Sequence, residues 1–368
     1  MLYQREDGCR AWLASGRIRP GTLRRLMTDF GSAEALYDQT RRDRGKALGE
    51  YLREAQVRRL VEMSEPAAMH ELMVSMRDGG IFILYCEDYL YSDALRSVDD
   101  APAFLFYRGN AALMGERCLT VVGARNASPK ALAACESLCE ELSCSGVTIV
   151  SGLAPGLDTA AHEGSLAGRT PGIGVSPCGL NVDYPAASHG LKHRLLDAGG
   201  LLLSEEPPDM PLPMGGFPRR NRILSGLSRG VVMMEARIRS GSMSTVQHAL
   251  DQGREVFAWP GEPGSPYGEA AHQLLREGAR YFTTAADILE DMGWDALPER
   301  EPRESTSPVL ELKPEMHMVL TILHRGEKSM DELCQETGLD AGELMGTLTL
   351  LQMCGQIRAL PGKVYCIV

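Results

Sequence analysis

"CLTVVGARNASP", residues 118–129, decides the fold. Its first five residues include Thr120, Val121 and Val122, β-branched side chains that favour a strand. Gly123 lets the backbone pass close to a neighbour or a ligand, Arg125 brings a guanidinium, and Pro129 suits the first turn of a helix running to Cys144. The same sequence of strand, glycine loop and helix returns in "VTIVSG" (147–152) followed by a helix from Asp158 to Ala167. Further strands are expected at "GLLLSE" (200–205), "GVVMMEA" (230–236) and "EVFAWPG" (255–261), with a helix around "STVQHALDQG" (244–253). Strands alternating with helices predict an α/β fold whose parallel sheet is wound by crossovers, with ligands bound at the carboxyl ends of the strands.

Two smaller helical regions flank this core. In residues 1–72, "TLRRLMTDFG" sets Leu23, Leu26, Met27 and Phe30 at helical spacing and Gly31 as a stop. The region reads as a small helical domain of SAM or helix-hairpin-helix type. The core domain spans 73–293 and is followed by a Pro-, Glu-, Arg- and Ser-rich linker over 294–310. Residues 311–368 then carry three helical stretches, the second with Ser329 as N-cap and Glu332 three residues on, and two short strands around a Pro-Gly turn. That order predicts a winged helix. Its third helix has no Lys or Arg between Leu339 and Cys354, so a protein-contact or packing role is expected in place of major-groove reading.

Composition narrows the function classes. The 368 residues carry a formal net charge of −11, which excludes a bulk electrostatic coat for nucleic acid. Residues 1–72 hold 13 Lys and Arg against 11 Asp and Glu, residues 73–293 hold 18 against 26, and residues 294–368 hold 7 against 12. A polyanion site must therefore be a local concentration of cations. The charged start of the chain and the lack of a long apolar run predict a cytoplasmic protein that does not span a membrane. None of the ten cysteines is spaced Cys-x-x-Cys, so no metal and no cofactor is expected, and Cys135, Cys139 and Cys144 read as buried free thiols on one helix.

The loops after the strands supply candidate site residues. "SGLAPGLDTAAH" (151–162) offers Gly152 and Gly156 in its turn and Asp158 as a helix N-cap, with His162 facing the sheet. "EARIRSGSMST" (235–245) offers Gly241, Ser242, Ser244 and Thr245 at the start of a helix, where backbone N–H groups favour anions. "FPRRNRILSGLS" (217–228) then sets Arg219, Arg220 and Arg222 around Asn221 after Phe217, with no carboxylate of its own to pair them. Guanidinium groups suit phosphate oxygens and a phenylalanine offers a base-stacking face.

Taken together in this order, "VVGARNASP", "SGLAPGLDTAAH", "CGLNVDYP", "LLLSEEPP", "FPRRNRILSGLS", "EARIRSGSMSTVQHALDQGREVFAWPG" and "LLREGA" resemble the DNA-processing protein A (DprA, or Smf) family. The resemblance covers about residues 75–292. It implies a Rossmann-like homodimer that binds single-stranded DNA and loads the recombinase RecA onto it during natural transformation. It also implies that Gly123, Arg125, Phe217, Arg219, Arg220, Asn221 and Arg222 line the DNA pocket. Pro155 and Met214 depart from the family, which often has basic residues there. Two lost phosphate contacts flatten the salt dependence by about 1.4 log units on a single strand. An enzymatic alternative, a nucleoside-monophosphate phosphoribohydrolase, would need carboxylates where this chain has Gln247 and His248. Glu235, Asp158 and His162 remain its possible catalysts, and a nucleotide sensor using the same pocket is a third reading.

Overall fold

In the computed structural model, which describes residues 5–115, 117–261, 265, 267–295, 314–324, 326–353, 356–360 and 364–367, strand and helix alternate to build one sheet of nine strands. They are β1 (Phe82–Tyr85), β2 (Phe104–Gly109), β3 (Cys118–Val122), β4 (Thr148–Ser151), β5 (Ile173–Ser176), β6 (Leu201–Ser204), β7 (Gly230–Met233), β8 (Glu255–Ala258) and β9 (Arg280–Tyr281). Their spatial order is β1-β2-β6-β5-β4-β3-β7-β8-β9. The seven strands from β6 to β9 are parallel, and β1 and β2 add an antiparallel edge. All of β3 and β4 is buried, as expected for parallel strands covered by helices on both faces.

The Rossmann-like α/β core is thus the one the alternation predicts, and the helix Pro129–Cys144 has the expected bounds. Strands β1, β2, β5 and β9 were not expected from sequence. They are only two to six residues long, and β5 reads Ile-Gly-Val-Ser, with one large apolar residue and one valine to mark it. Leu119, Val121, Ile149, Leu157, Val232, Phe257 and Phe282 meet in the core beneath these helices. Cys135 and Cys139 are buried thiols, whereas Cys144, at the helix end, is exposed.

The chain's winding changes direction once. From β3 it proceeds outward through β4, β5 and β6; it then returns to place β7 on the other side of β3, where Val122 pairs with Met233 in parallel register. Loops leaving β3 and β7 therefore diverge to opposite faces and open a crevice between them.

Before the sheet lie five helices, Arg5–Ser15, Pro20–Phe30, Ala33–Asp43, Glu54–Met63 and Pro66–Gly79. Gly31 stops the second with φ 83°, and Leu23 and Leu26 bury its inner face while Met27 and Phe30 are half-buried. Trp12 anchors the bundle: its indole N–H donates to the Leu60 carbonyl at 2.8 Å and its ring meets Tyr37 edge-on at 5.2 Å. These helices belong to the same compact unit as the sheet. Asn181 Nδ2 donates to Ser75 Oγ at 3.0 Å, and Arg17 pairs with Glu206 at 2.7 Å.

A second compact unit holds the winged helix. Helices Pro314–His324, Met330–Thr337 and Ala341–Met353 pack around Val319, Leu320, Leu333, Leu344 and Leu348. Strands β10 (Lys328–Ser329), β11 (Ile357–Leu360) and β12 (Val364–Ile367) pair in the order β10-β12-β11. Ser329 and Glu332 form the expected capping box. Residues 296–313, which contain most of the expected linker, lie outside the described residues, as do Pro361 and Gly362 of the expected turn. No helix among the described residues is long and apolar enough to cross a membrane, and no group of three or more His, Cys, Asp or Glu among them could hold a metal ion.

Candidate functional site

The crevice between the carboxyl ends of β3 and β7 is a cavity of about 520 Å³. The loop after β3 contributes Gly123, Arg125 and Asn126, the loop after β7 contributes Arg237, Arg239 and Gly241, and the helix that follows contributes Ser242 and Thr245. Tyr267 closes one side: its carbonyl accepts the Ala236 N–H at 2.7 Å, which ties its loop to the end of β7. The helix Ser242–Asp251 begins at this cavity without a side-chain cap, so its first-turn N–H groups and the positive end of its dipole favour an anion.

The helix Gly216–Leu227 forms the remaining wall, and its geometry divides the arginines of the "FPRRNR" segment. At about 100° per residue, Phe217, Arg220, Asn221 and Leu224 fall on one side, and all four line the cavity. Arg219 and Arg222 fall on the opposite side and do not line it. The absence of a carboxylate within 217–228 proves no guide, because partners arrive from elsewhere in the chain. Arg219 pairs with the buried Glu206; Arg222 pairs with Glu205 at 2.7 Å and Asp100 at 3.3 Å.

Arg220 and Asn221 are themselves buried and occupied. Arg220 Nη1 donates to the Val175 carbonyl at 2.6 Å and its Nε to Asn221 Oδ1 at 3.1 Å; Asn221 Nδ2 donates to Ser244 Oγ at 2.8 Å. The pair thus fastens the helix to the end of β5 and to the loop after β7. Burial pushes the Arg220 guanidinium below its ordinary value, opposed by Asp158, and pushes the Asp158 carboxyl above its own, opposed by Arg220.

Three cations remain unspent. Arg125, Arg237 and Arg239 are exposed, line the cavity and have no ion-pair partner among the described residues. Arg125 sits over the Phe217 ring, 4.9 Å from its centroid, and Arg237 over the Tyr267 ring at 5.1 Å. Each ring holds a guanidinium at the cavity without neutralising it. Sequence reasoning missed Arg237, Arg239 and Tyr267 as site residues. Both arginines stand in the quoted loop after β7, but only the fold turns them toward Arg125.

Gly152 and Gly156 act beneath the cavity. Gly156 has φ 83° and is the N-cap of the helix Leu157–Ala167, a place expected for Asp158. Asp158 instead lies inside that first turn, buried, with Oδ2 accepting the Ala154 N–H at 3.4 Å. A Cβ at Gly152 would collide with the Asp158 carboxylate and the Arg220 guanidinium, so this glycine makes room for the buried charges. His162 is fully buried facing the sheet, its Nε2–H donating to the Gly152 carbonyl at 2.8 Å, and burial depresses its pKa to about 4. Glu235 is also buried, and both its oxygens accept from Ser128, from the backbone N–H and from Oγ, each at 2.9 Å. Asp158, His162 and Glu235 thus each hold a hydrogen-bond partner within the chain. Met214 is 99% exposed, and Pro155 lines a neighbouring crevice of about 90 Å³ that shares Phe217 as a wall.

The chain is similar to known proteins in sequence and in fold. The family model described as DNA recombination-mediator protein A matches residues 82–293, and that described as the DprA winged helix domain matches 303–363. Protein Smf of Escherichia coli (strain K12) is 37% identical over 288 residues, 76% of this chain and 76% of its own length. DNA processing protein DprA of Bacillus subtilis (strain 168) is 37% identical over 235 residues, 62% of this chain and 75% of its own. Among solved structures, DprA of Streptococcus pneumoniae superposes with a TM-score of 0.55 at 33% identity, covering 69% of this chain and 92% of that one. A structure describing the single-stranded DNA binding mode of DprA from Helicobacter pylori gives 0.50 at 28% identity, covering 55% and 92%.

Proposed function

Because the chain belongs to the DprA/Smf family of DNA recombination-mediator proteins, we propose that it binds single-stranded DNA in the cavity between β3 and β7. In this reading it protects incoming strands and loads RecA onto them during natural transformation. It works as a homodimer in the cytoplasm, and it catalyses no reaction. The four-part division at residues 72, 293 and 310 belongs to the same reading.

One observation carries it: three guanidinium groups without carboxylate partners among the described residues, Arg125, Arg237 and Arg239, surround one cavity beside two aromatic rings in a chain of net charge −11. Phosphates take the guanidinium groups and the N–H groups around Gly241, Ser242 and Thr245; a base rests against Phe217 or Tyr267. Arg220, Asn221, Gly123, Gly152 and Gly156 hold these loops in place, and Arg219 and Arg222 fix the back of their helix. The test is a titration with single-stranded oligonucleotides of rising length, with duplex and with mononucleotides. Affinity should rise with strand length, weaken for duplex and fall steeply with salt. Steady release of free base from nucleoside monophosphates, or equal affinity for a mononucleotide and a long strand, contradicts the reading.

A further inference from the structure

The helical region before the sheet distributes its charge unevenly. Across the end of the helix Ala33–Asp43 the chain reads Arg41-Arg42-Asp43-Arg44-Gly45-Lys46, four cations to one carboxylate. That carboxylate is turned into its own loop. Asp43 Oδ1 accepts the N–H groups of Gly45 and Lys46 at 2.9 and 3.1 Å, while Oδ2 accepts the Ala47 N–H at 3.0 Å and Gln39 Nε2 at 3.1 Å. Arg41, Arg42, Arg44 and Lys46 are left exposed, and none has an ion-pair partner among the described residues.

The backbone supplies a second observation. Among the described residues two that are not glycine have positive φ, Arg17 at 48° and Arg44 at 55°. This conformation costs free energy for any side chain with a Cβ, and a helix end of this kind ordinarily takes glycine. For Arg17 the structure shows what the side chain does there: its guanidinium reaches Glu206 at 2.7 Å. Arg44 has no such partner among the described residues. The helix dipole accounts for cations in the last turn, where Arg41 and Arg42 stand, but not for Arg44 or Lys46 beyond it.

We propose that residues 41–46 form a second contact for the phosphodiester backbone of a single DNA strand, engaged when the strand is long enough to leave the cavity. The proposal rests on the reading of the cavity as a single-strand site. The stretch has no aromatic ring to stack a base, so this contact carries affinity without sequence preference. Four side chains, three of them planar forks, suit a row of phosphates better than a single anion.

The test uses the full chain with Arg41→Gln, Arg42→Gln, Arg44→Gln and Lys46→Gln combined, beside Arg125→Ala. Each is titrated with oligothymidylates of about 6 and about 40 nucleotides, one within and one well beyond usual site sizes, over a range of salt. The quadruple variant should bind the short strand as the unaltered chain does. For the long strand its plot of log affinity against log salt should be flatter by about 2–3 units, at ~0.7 per phosphate lost. Lysine at positions 41, 42 and 44 should restore the slope. An unchanged slope and affinity for the long strand overturns the proposal, and Arg125→Ala then tells the two failures apart. If Arg125→Ala weakens both lengths, only the second contact fails; if the unaltered chain binds neither length, the cavity reading fails and takes the second contact with it.

Discussion

Arg125 lies over the ring of Phe217, 4.9 Å from its centroid, although the two are 92 positions apart and leave different strands of the sheet. The pair joins the loop after β3 to the helix after β6 and presents, beside an aromatic wall, a guanidinium with no ion-pair partner among the described residues. If both groups meet the same nucleotide, their truncations should not add. Arg125→Ala and Phe217→Ala should each weaken single-strand binding by about 1–3 kcal/mol. The double variant should lose less than the sum, by about 0.5–1 kcal/mol for an exposed cation–π pair. Strict additivity in a double-mutant cycle would show that the two act on separate parts of the ligand.

Arg222 should behave differently. Its side chain is 13% exposed and bridges Glu205 and Asp100 on the side of its helix away from the cavity. Arg222→Ala should destabilise the fold by about 1–3 kcal/mol by leaving Glu205 without its partner. Affinity for a short strand should not change. Urea unfolding and a binding titration on the same preparation check both halves.

Most of the fold was legible in sequence, and the lining of the candidate cavity was legible in part, for reasons visible in individual residues. The strands β3, β4, β6, β7 and β8 carry apolar runs that need no partner to be recognised, whereas the edge strands are too short to show a period. Arg125 could be read from its loop because a strand–glycine–helix unit fixes where that loop stands. Arg219, Arg220 and Arg222 could not be separated by composition, since three adjacent guanidinium groups look alike until helical rotation assigns each a side. Their carboxylate partners, Glu205, Glu206 and Asp100, sit 13 or more positions away, or join only through the fold. The free charges of Arg237 and Arg239 became visible only once the loops after β3 and β7 were brought face to face.

His162 gives the molecule a definite response to acid. Its pKa is about 4 in the folded chain, below the ordinary histidine value of 6.5, because burial disfavours the charged ring. The unfolded chain therefore binds more protons between those values, so stability should fall as pH drops from about 6.5 toward 4. The contribution at neutral pH is at most about 3 kcal/mol, at 1.36 kcal/mol per pH unit. His162→Gln should flatten the dependence in that window. A slope that survives the substitution would assign it to other groups, such as His317 of the winged helix, which burial also lowers to about 4.

Two glycines at the site should separate fold from ligand. Gly152→Ala places a methyl group against the Asp158 carboxylate and the Arg220 guanidinium, and should lower stability by about 2–4 kcal/mol and disturb binding with it. A Cβ at Gly241 meets nothing within 4 Å, so Gly241→Ala should leave unfolding unchanged. If phosphate approaches the backbone there, its affinity should still fall. Thermal melting beside a titration distinguishes the two cases.

The most direct measurement is the salt dependence of binding to one short single-stranded oligonucleotide by four proteins: the unaltered chain, Arg125→Ala, Arg237→Ala and Arg222→Ala. The cavity reading predicts that Arg125→Ala and Arg237→Ala each bind more weakly and flatten the log–log slope by about 0.7, one phosphate contact apiece, while Arg222→Ala reproduces the slope of the unaltered chain. The contrary result, a full slope in both cavity variants and a flattened one in Arg222→Ala, would place the strand on the other side of the Gly216–Leu227 helix and contradict the account.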